Sequence, residues 1–314
     1  MSSLNPDLFV AFEAEFWPNF YRKLEILHVP ALLLNGRISE SSERFYRFFN
    51  PLFRPVFEQF YRMAMHSEED RDRALRIGVP PGKMFVLGSS KYDGLIDKAS
   101  LEKERYWSQM LDVDPRTVVV VGGSLRGSEC IRLMKVYREL RSSSPNVLGI
   151  FAPRHMHNIP KMAEWLSKER IPYDLLTQIE DGSRKRTAPV VLVDRIGVLF
   201  EIYSVGDFVF CGGTLEPVGG HNILEPAAWS KAVFYGPHLK KIPREHRILH
   251  HFGGSFPVFD DDDLLLQWKK WMGRLDGLRE HGKKAKSALA SLGGVVERQV
   301  ELILESLEKN HRME

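Results

Sequence analysis

Residues 211–228 read Cys211-Gly-Gly-Thr-Leu-Glu-Pro-Val-Gly-Gly-His-Asn-Ile-Leu-Glu-Pro-Ala-Ala228. The apolar run Phe208-Val-Phe210 before it reads as a short buried strand, and the residues from Ile223 read as the start of a helix. Gly212, Gly213, Gly219 and Gly220 let the backbone come close to a bound group and take positive φ where needed. A helix opening just after them offers free N–H groups and a positive dipole end. With His221, Asn222 and Glu225 in close register, the combination predicts a cradle for a nucleotide or a sugar phosphate.

Outward from this loop, short apolar runs alternate with helical stretches, the pattern of a parallel sheet covered by helices. Leu8–Phe12 and Val29–Leu34 read as strands with a helix from Trp17 to Leu27 between them, and Met84–Leu87 as a further strand. Ser41 to Met65 reads as helical, interrupted near Pro51 and Pro55, with a strand opening at Tyr61. Ser67 caps an acidic helix that ends at Gly78. A second series begins at Thr117–Val121 and continues through Val147–Phe151, Pro189–Val193, Phe208–Cys211 and Ala232–Tyr235. Its strand ends run into Gly122-Gly-Ser124, Pro153-Arg-His155, Asp194-Arg-Ile-Gly197 and Gly236-Pro-His238, where open α/β sheets bind ligands. The charged tail from Asp261 reads as helices interrupted by Gly273, Gly277, Gly282 and Gly293-Gly294. Two domains are expected, residues 1–100 and 101–314, the second carrying the terminal helices. Two Rossmann-like halves without a GxGxxG fingerprint suggest the architecture of nucleotide-sugar glycosyltransferases.

Composition narrows the class. The chain has 314 residues, 43% hydrophobic and 27% charged, enough for two ordinary domains. A net charge of +3 gives no argument for a nucleic-acid partner. Cys130 and Cys211 form neither a disulfide framework nor a metal spacing, which fits a reducing compartment; no metal and no cofactor is expected. No run of about 18 apolar residues is present, so no transmembrane segment is expected. Met1-Ser-Ser-Leu-Asn-Pro6 has neither the charged nor the apolar region of a signal peptide, and the expected location is cytoplasmic.

At this point the residues resemble a known family. Gly212 to Ala228 is similar to the signature of the 3-deoxy-D-manno-octulosonic acid (Kdo) transferases, which move Kdo from CMP-Kdo to a lipid A precursor. Support follows in family order from Glu13-Ala-Glu-Phe-Trp-Pro-Asn19, Asn35-Gly-Arg-Ile-Ser39, Ser67-Glu-Glu-Asp70, Gly88-Ser-Ser-Lys-Tyr-Asp93, Pro153-Arg-His155 and Gly236-Pro-His238. The match runs over roughly residues 5 to 240. The resemblance implies an α/β fold of two Rossmann-like domains of the GT-B glycosyltransferase type, the first incomplete. It implies Glu13 and Lys91 as transition-state stabilisers. It places CMP contacts on Pro153 and Arg154, on a backbone cradle at Ile196, Gly197 and Val198, and on Asn222, Ile223, Leu224 and Glu225. Ser124, Gly212, Gly213, Thr214, Gly220 and His221 are further expected contacts. Residue chemistry agrees: Arg154 can fork two N–H groups onto phosphate oxygens, and Glu225 can accept from ribose hydroxyls. Glu13 or Glu15 could instead form a structural bridge with Lys91 or Arg37. Arg37 and Ser39 could contact the acceptor, or the Asn35-Gly-Arg37 turn could be purely structural.

The departures concern the acceptor half. The family's apolar membrane-anchoring segment and its Ser-Val-Gly-Glu-like stretch, which carries the general base, have no counterpart in this sequence. Strands that would flank Leu8–Phe12 are expected to be missing, leaving an apolar edge. Ala14 stands in place of the usual threonine, Ser124-Leu-Arg-Gly-Ser-Glu129 replaces a Ser-Thr-His-Pro-Gly-Glu-like loop, and Val198 replaces a common glutamate. His221 and Glu129 are conceivable substitutes for the base. The implied reaction is Kdo transfer from CMP-Kdo to a lipid A precursor at the cytoplasmic face of the inner membrane. The alternatives are a degenerate relative that binds CMP or a CMP-sugar without transfer, and another nucleotide-sugar transferase or epimerase. The aromatic and arginine-rich stretch Arg44 to Arg62 adds a further alternative, a membrane-surface helix, against an amphipathic helix packed on the sheet.

Overall fold

The computed structural model describes residues 6–311, with side chains to Glu308, so the reading of Met1–Asn5 as no part of a signal peptide lies outside the described residues. The chain divides into two units: residues up to Asp93 together with those from Leu292 onward, and Gly94–Ser291.

The first unit is built on β1 (Phe9–Phe12), β2 (Ala31–Gly36), β3 (Phe60–Met65) and β4 (Met84–Val86). All pairings are parallel, in the order β1-β2-β3-β4. Period-two alternation sends Leu33 and Met63 into one core with Tyr21, Phe53, Phe57 and Phe60, and Leu32, Leu34 and Ala64 to the opposite face. That opposite face is covered by Leu302 and Ile303 of the helix Val295–His311. The boundary therefore differs from the expected division at residue 100. The last helix joins the first unit, because its apolar stripe supplies the cover that the face of β2 and β3 needs. Among the described residues β1 pairs only with β2, so it is an edge strand. The expected break at Pro55 does not occur. The helix Asn50–Gln59 runs through it, with Pro55 in its interior.

The second unit holds β5 (Val118–Leu125), β6 (Val147–Pro153), β7 (Tyr173–Leu175), β8 (Val190–Leu192), β9 (Phe208–Cys211), β10 (Val233–Tyr235) and β11 (Ser255–Pro257). They form one parallel sheet in the order β11-β10-β9-β5-β6-β8-β7. The chain leaves β5 towards β6 and later returns to the other side as β9. The β5 and β9 loops therefore flank the switch point where such sheets take ligands. Strands β7 and β11 do not show in the sequence pattern. Tyr173–Leu175 centres on Asp174, a fully buried carboxylate that accepts from the Thr187 and Ala188 N–H groups and pairs with Arg184. Ser255–Pro257 contains a proline, tolerated because β11 lies at the sheet edge. Gly277 and Gly282 do not interrupt the helix Leu275–Ala290. At Gly282 a Cβ would stand 1.9 Å from the Ser230 carbonyl oxygen, so glycine there serves close packing. Among the described residues no helix is long and apolar enough to cross a membrane.

Candidate functional site

The loops that follow β5 and β9 in the second unit are organised by Glu129. It opens the helix Glu129–Ser143 directly after β5 and is fully buried. Its carboxylate accepts from the N–H groups of Arg126 (2.9 Å), Gly213 (2.6 Å), Thr214 (2.9 Å) and Leu215 (2.7 Å). A buried carboxylate that accepts from four backbone donors has its oxygens occupied and is held fixed. Glu129 therefore ties the β5 loop to the glycine loop and is not available as a base. Its sequence position gave no sign of this, because three of its partners lie more than 80 residues away.

The glycines of the loop make room for the protein's own atoms. A Cβ on Gly212 would meet the backbone of Ser124 and Leu125 at 2.6–2.9 Å, one on Gly213 the His221 ring at 2.7 Å, and one on Gly220 the Ile242 side chain at 2.5 Å. Gly213, Gly219 and Gly220 do take positive φ, as expected. Thr214 is fully buried, donating its hydroxyl to the Cys211 carbonyl and accepting from the Gly236 N–H, which joins the β9 and β10 loops. Its side chain belongs to the scaffold.

His221 sits on this platform. Arg126 Nε donates to His221 Nε2 at 3.1 Å, so that nitrogen is an acceptor and carries no proton. Burial first, and then the charges of Arg126, Arg154 and Lys241, push its pKa down to about 4. His221 is thus a neutral imidazole within a group of cations and a poor proton acceptor at neutral pH. That cationic group fits an anion. Arg154 follows β6, its backbone N–H bonded to the Leu125 carbonyl and its side chain exposed. Asn222 Nδ2 donates to Glu225 Oε1 at 3.1 Å, and Asn222 Oδ1 accepts from the Leu224 N–H. Burial raises the Glu225 pKa above the ordinary carboxylate value, while Asn222 and Arg154 act against that rise. Ile223 and Leu224 are buried beneath them.

Of the other residues expected in these loops, Pro153 closes β6 as a buried residue, and Ser124, the last but one of β5, has φ of 54°. In the third loop Ile196 is 80% exposed, Gly197 takes φ of 96° with nothing near a Cβ position, and Val198 is buried. Asp194 holds that loop by accepting from the N–H and hydroxyl of Thr177 at 2.9 and 2.6 Å.

The first unit holds the other pair. Glu13 follows β1 with φ of 64°, a conformation rare for a residue with a side chain. Its N–H donates to the Leu34 carbonyl, and its own carbonyl accepts from the Arg37 N–H. Lys91 Nζ lies 3.2 Å from Glu13 Oε1, with the side chains 61% and 53% exposed. A bridge so open to water stabilises the fold by less than about 1 kcal/mol, leaving both charges ready to meet another partner. Of the bridges considered from sequence, Glu13–Lys91 forms; Glu15 instead accepts from Trp17 Nε1 at 2.7 Å. Ser39 caps the helix Glu40–Phe48 by accepting from the Ser42 N–H, and Arg37 is exposed. Asp70 accepts from the Ile38 N–H (2.8 Å) and the Ser67 hydroxyl (2.6 Å). Burial pushes its pKa up, yet His66, Ser67 and Ile38 together hold it below the ordinary value.

The family profile described as 3-deoxy-D-manno-octulosonic-acid transferase (kdotransferase) matches residues 1–94. The chain is 32% identical over 241 residues to the 3-deoxy-D-manno-octulosonic acid transferase of Chlamydia pneumoniae, across 76% of this chain and 54% of that protein. It is 27% identical over 312 residues to the Haemophilus influenzae protein of the same name, across 98% and 71%. The C-terminal CMP-Kdo binding domain of WaaA from Acinetobacter baumannii superposes with a TM-score of 0.54 at 19% identity. That likeness in fold covers 62% of this chain and 98% of the domain. The chain spans about half the length of the Chlamydia pneumoniae relative. Profile and relatives together cover most of the sequence, and the chain belongs to the 3-deoxy-D-manno-octulosonic acid transferase family.

Proposed function

We propose that this chain transfers Kdo from CMP-Kdo to a lipid A precursor in lipopolysaccharide synthesis. The observation that carries the reading is the group of Arg126, Arg154 and Lys241 around a neutral His221, beside Asn222 and Glu225, in the loops after β5, β6, β9 and β10. In that arrangement Arg154 forks onto the phosphate of CMP, and Glu225 with Asn222 takes the ribose hydroxyls. The backbone of Ile196, Gly197 and Val198 lines the same sheet edge. Ser124, Gly212, Gly213, Gly220 and His221 shape the loops from beneath. Glu13 and Lys91 act on the transferred sugar, Lys91 stabilising negative charge as CMP departs. The relatives named Kdo transferase and the CMP-Kdo binding domain of similar fold support the donor.

The acceptor is a lipid, and the first unit has a surface suited to meeting one. Phe45, Phe48, Phe49 and Leu52 are exposed, Phe48 by 80%, and Phe49 stands 4.9 and 4.8 Å from the rings of Phe45 and Phe48. Arg44, Arg47 and Arg54 lie in the same stretch, so aromatic rings and cations together suit anionic headgroups at the cytoplasmic face of the inner membrane. Phe53, Val56, Phe57 and Phe60 of the same stretch are buried in the sheet core, as an amphipathic packed helix requires.

One observation favours the second reading, a relative that binds CMP or a CMP-sugar without transfer: neither Glu129 nor His221 can take the acceptor's proton. The experiment offers CMP and then CMP-Kdo with a lipid A precursor. On the first reading CMP raises the Tm of the wild type but not of R154A or E225A, and Kdo appears on the lipid. Binding without transfer selects the second reading, and no response to CMP removes both.

A further inference from the structure

We infer that Asn35, oriented by Gln299 from the far end of the chain, is a positioning residue for the Glu13–Lys91 pair. The inference rests on the catalytic reading of that pair given above. Asn35 lies near the end of β2 in the left-handed region, φ 50°, and is almost wholly buried. Its backbone neighbours hold Glu13 from both sides, through the Leu34 carbonyl (3.0 Å) and the Arg37 N–H (3.4 Å). Its side chain holds the other member. Asn35 Nδ2 donates to Ser90 Oγ at 2.6 Å, and Asn35 Oδ1 accepts from the Ser90 N–H at 3.2 Å. Ser90 immediately precedes Lys91, whose own N–H donates to Ser89 Oγ at 3.3 Å.

The end of β2 thus holds the backbone under the carboxylate through Leu34 and Arg37, and the backbone under the ammonium through the Asn35 side chain. Glu13 and Lys91 are both largely in water, and an exposed bridge does little to align its members. Their relative placement must come from the main chain, and Asn35 is where the two stretches meet.

An asparagine amide can turn over, exchanging donor for acceptor, and only one orientation serves both Ser90 groups. Gln299 selects it. Its Nε2 donates to Asn35 Oδ1 at 2.9 Å from a buried position 264 residues along the chain. The helix that carries it is anchored beside the same loop. The Val296 N–H donates to Asp93 Oδ2 at 2.5 Å, Arg298 reaches the Leu87 carbonyl at 3.4 Å, and Leu302 is buried against β2 and β3. The last helix therefore covers the sheet and also sets the orientation of the residue that aligns the pair.

The test compares the full chain with Q299A and Q299E, each also in a K91A background. Q299E keeps size and helix and, above the pH at which its carboxyl ionises, cannot donate to Asn35 Oδ1. Each single variant is expected to lower kcat for Kdo transfer about ten-fold with KM for CMP-Kdo unchanged, and to add nothing once Lys91 is removed. Hydrogen exchange at the Ser90 and Lys91 amides is expected to rise about ten-fold while the β2 amides stay protected. An equal loss in the wild-type and K91A backgrounds, or unaltered exchange at Ser90 and Lys91, overturns the inference. Full transfer by K91A alone would instead overturn the catalytic reading of the pair, with the exchange result still deciding the link from Gln299 through Asn35.

Discussion

Glu129 in the second unit and Glu13 in the first both stand where a parallel strand gives way to a loop, and they do opposite things. Glu129 is sealed from water and accepts from four backbone N–H groups. Glu13 is half in water and touches one lysine. Burial and donor number turn the first into a structural post, and exposure leaves the second free to act. Position at a strand end does not distinguish a carboxylate that ties loops together from one left open to a further partner; its surroundings do.

The contrast is most easily broken through Glu129. E129A leaves four buried donors without an acceptor, and a cost of about 4 kcal/mol is expected, read as a Tm lower by roughly 10 °C. A drop under about 2 °C would show that water or a neighbour replaces the carboxylate and that the post is dispensable. Lys91 should behave in the reverse way. K91A is expected to slow transfer by about 10²-fold with Tm nearly unchanged, the signature of charge stabilisation rather than architecture. A variant that loses activity only in proportion to lost folding would erase the distinction.

Smaller effects sharpen it. R154A should weaken CMP by about 10- to 100-fold at unchanged stability, measured by calorimetric titration. A bound phosphate should also raise the pKa of His221 from about 4, since it offsets the cations that help hold that value down. CMP binding at pH 5 should therefore take up a fraction of a proton. The fraction is read from the dependence of binding heat on buffer ionisation enthalpy, and proton release would contradict the placement of the anion. The sign for stability follows from the same shift. The unfolded chain binds the His221 proton near pH 6.5 and the folded chain only near 4, so this residue's contribution falls as pH drops through that window. The smallest expectation is for E13Q, which should change Tm by under about 2 °C while lowering transfer.

Much of the fold was legible because the signals are local. Buried strands such as Val118–Leu125 and Phe208–Cys211 announce themselves as apolar runs ending in glycine or polar loops. The short strands Tyr173–Leu175 and Ser255–Pro257 do not, since a buried aspartate and an edge proline interrupt the pattern. At the candidate site, a residue type suited to a phosphate was visible at Arg154, and types suited to ribose hydroxyls at Asn222 and Glu225. The low basicity of His221 was not, because it comes from burial in the folded protein and from Arg126, which reaches it from 95 residues away.

The sequence by itself determined the parallel α/β class, the position of the loops at the strand ends and the residue types available there. These follow from periodicity and backbone preference, which act over a few neighbours. Only the tertiary structure decided that the glycines between Gly212 and Gly220 admit the protein's own side chains and backbone, and that Glu129 is a post. It alone brought the last helix back to the first unit to orient Asn35. Each of these depends on which distant atoms meet, and steric fit and hydrogen bonding at about 3 Å are settled only when the chain has folded.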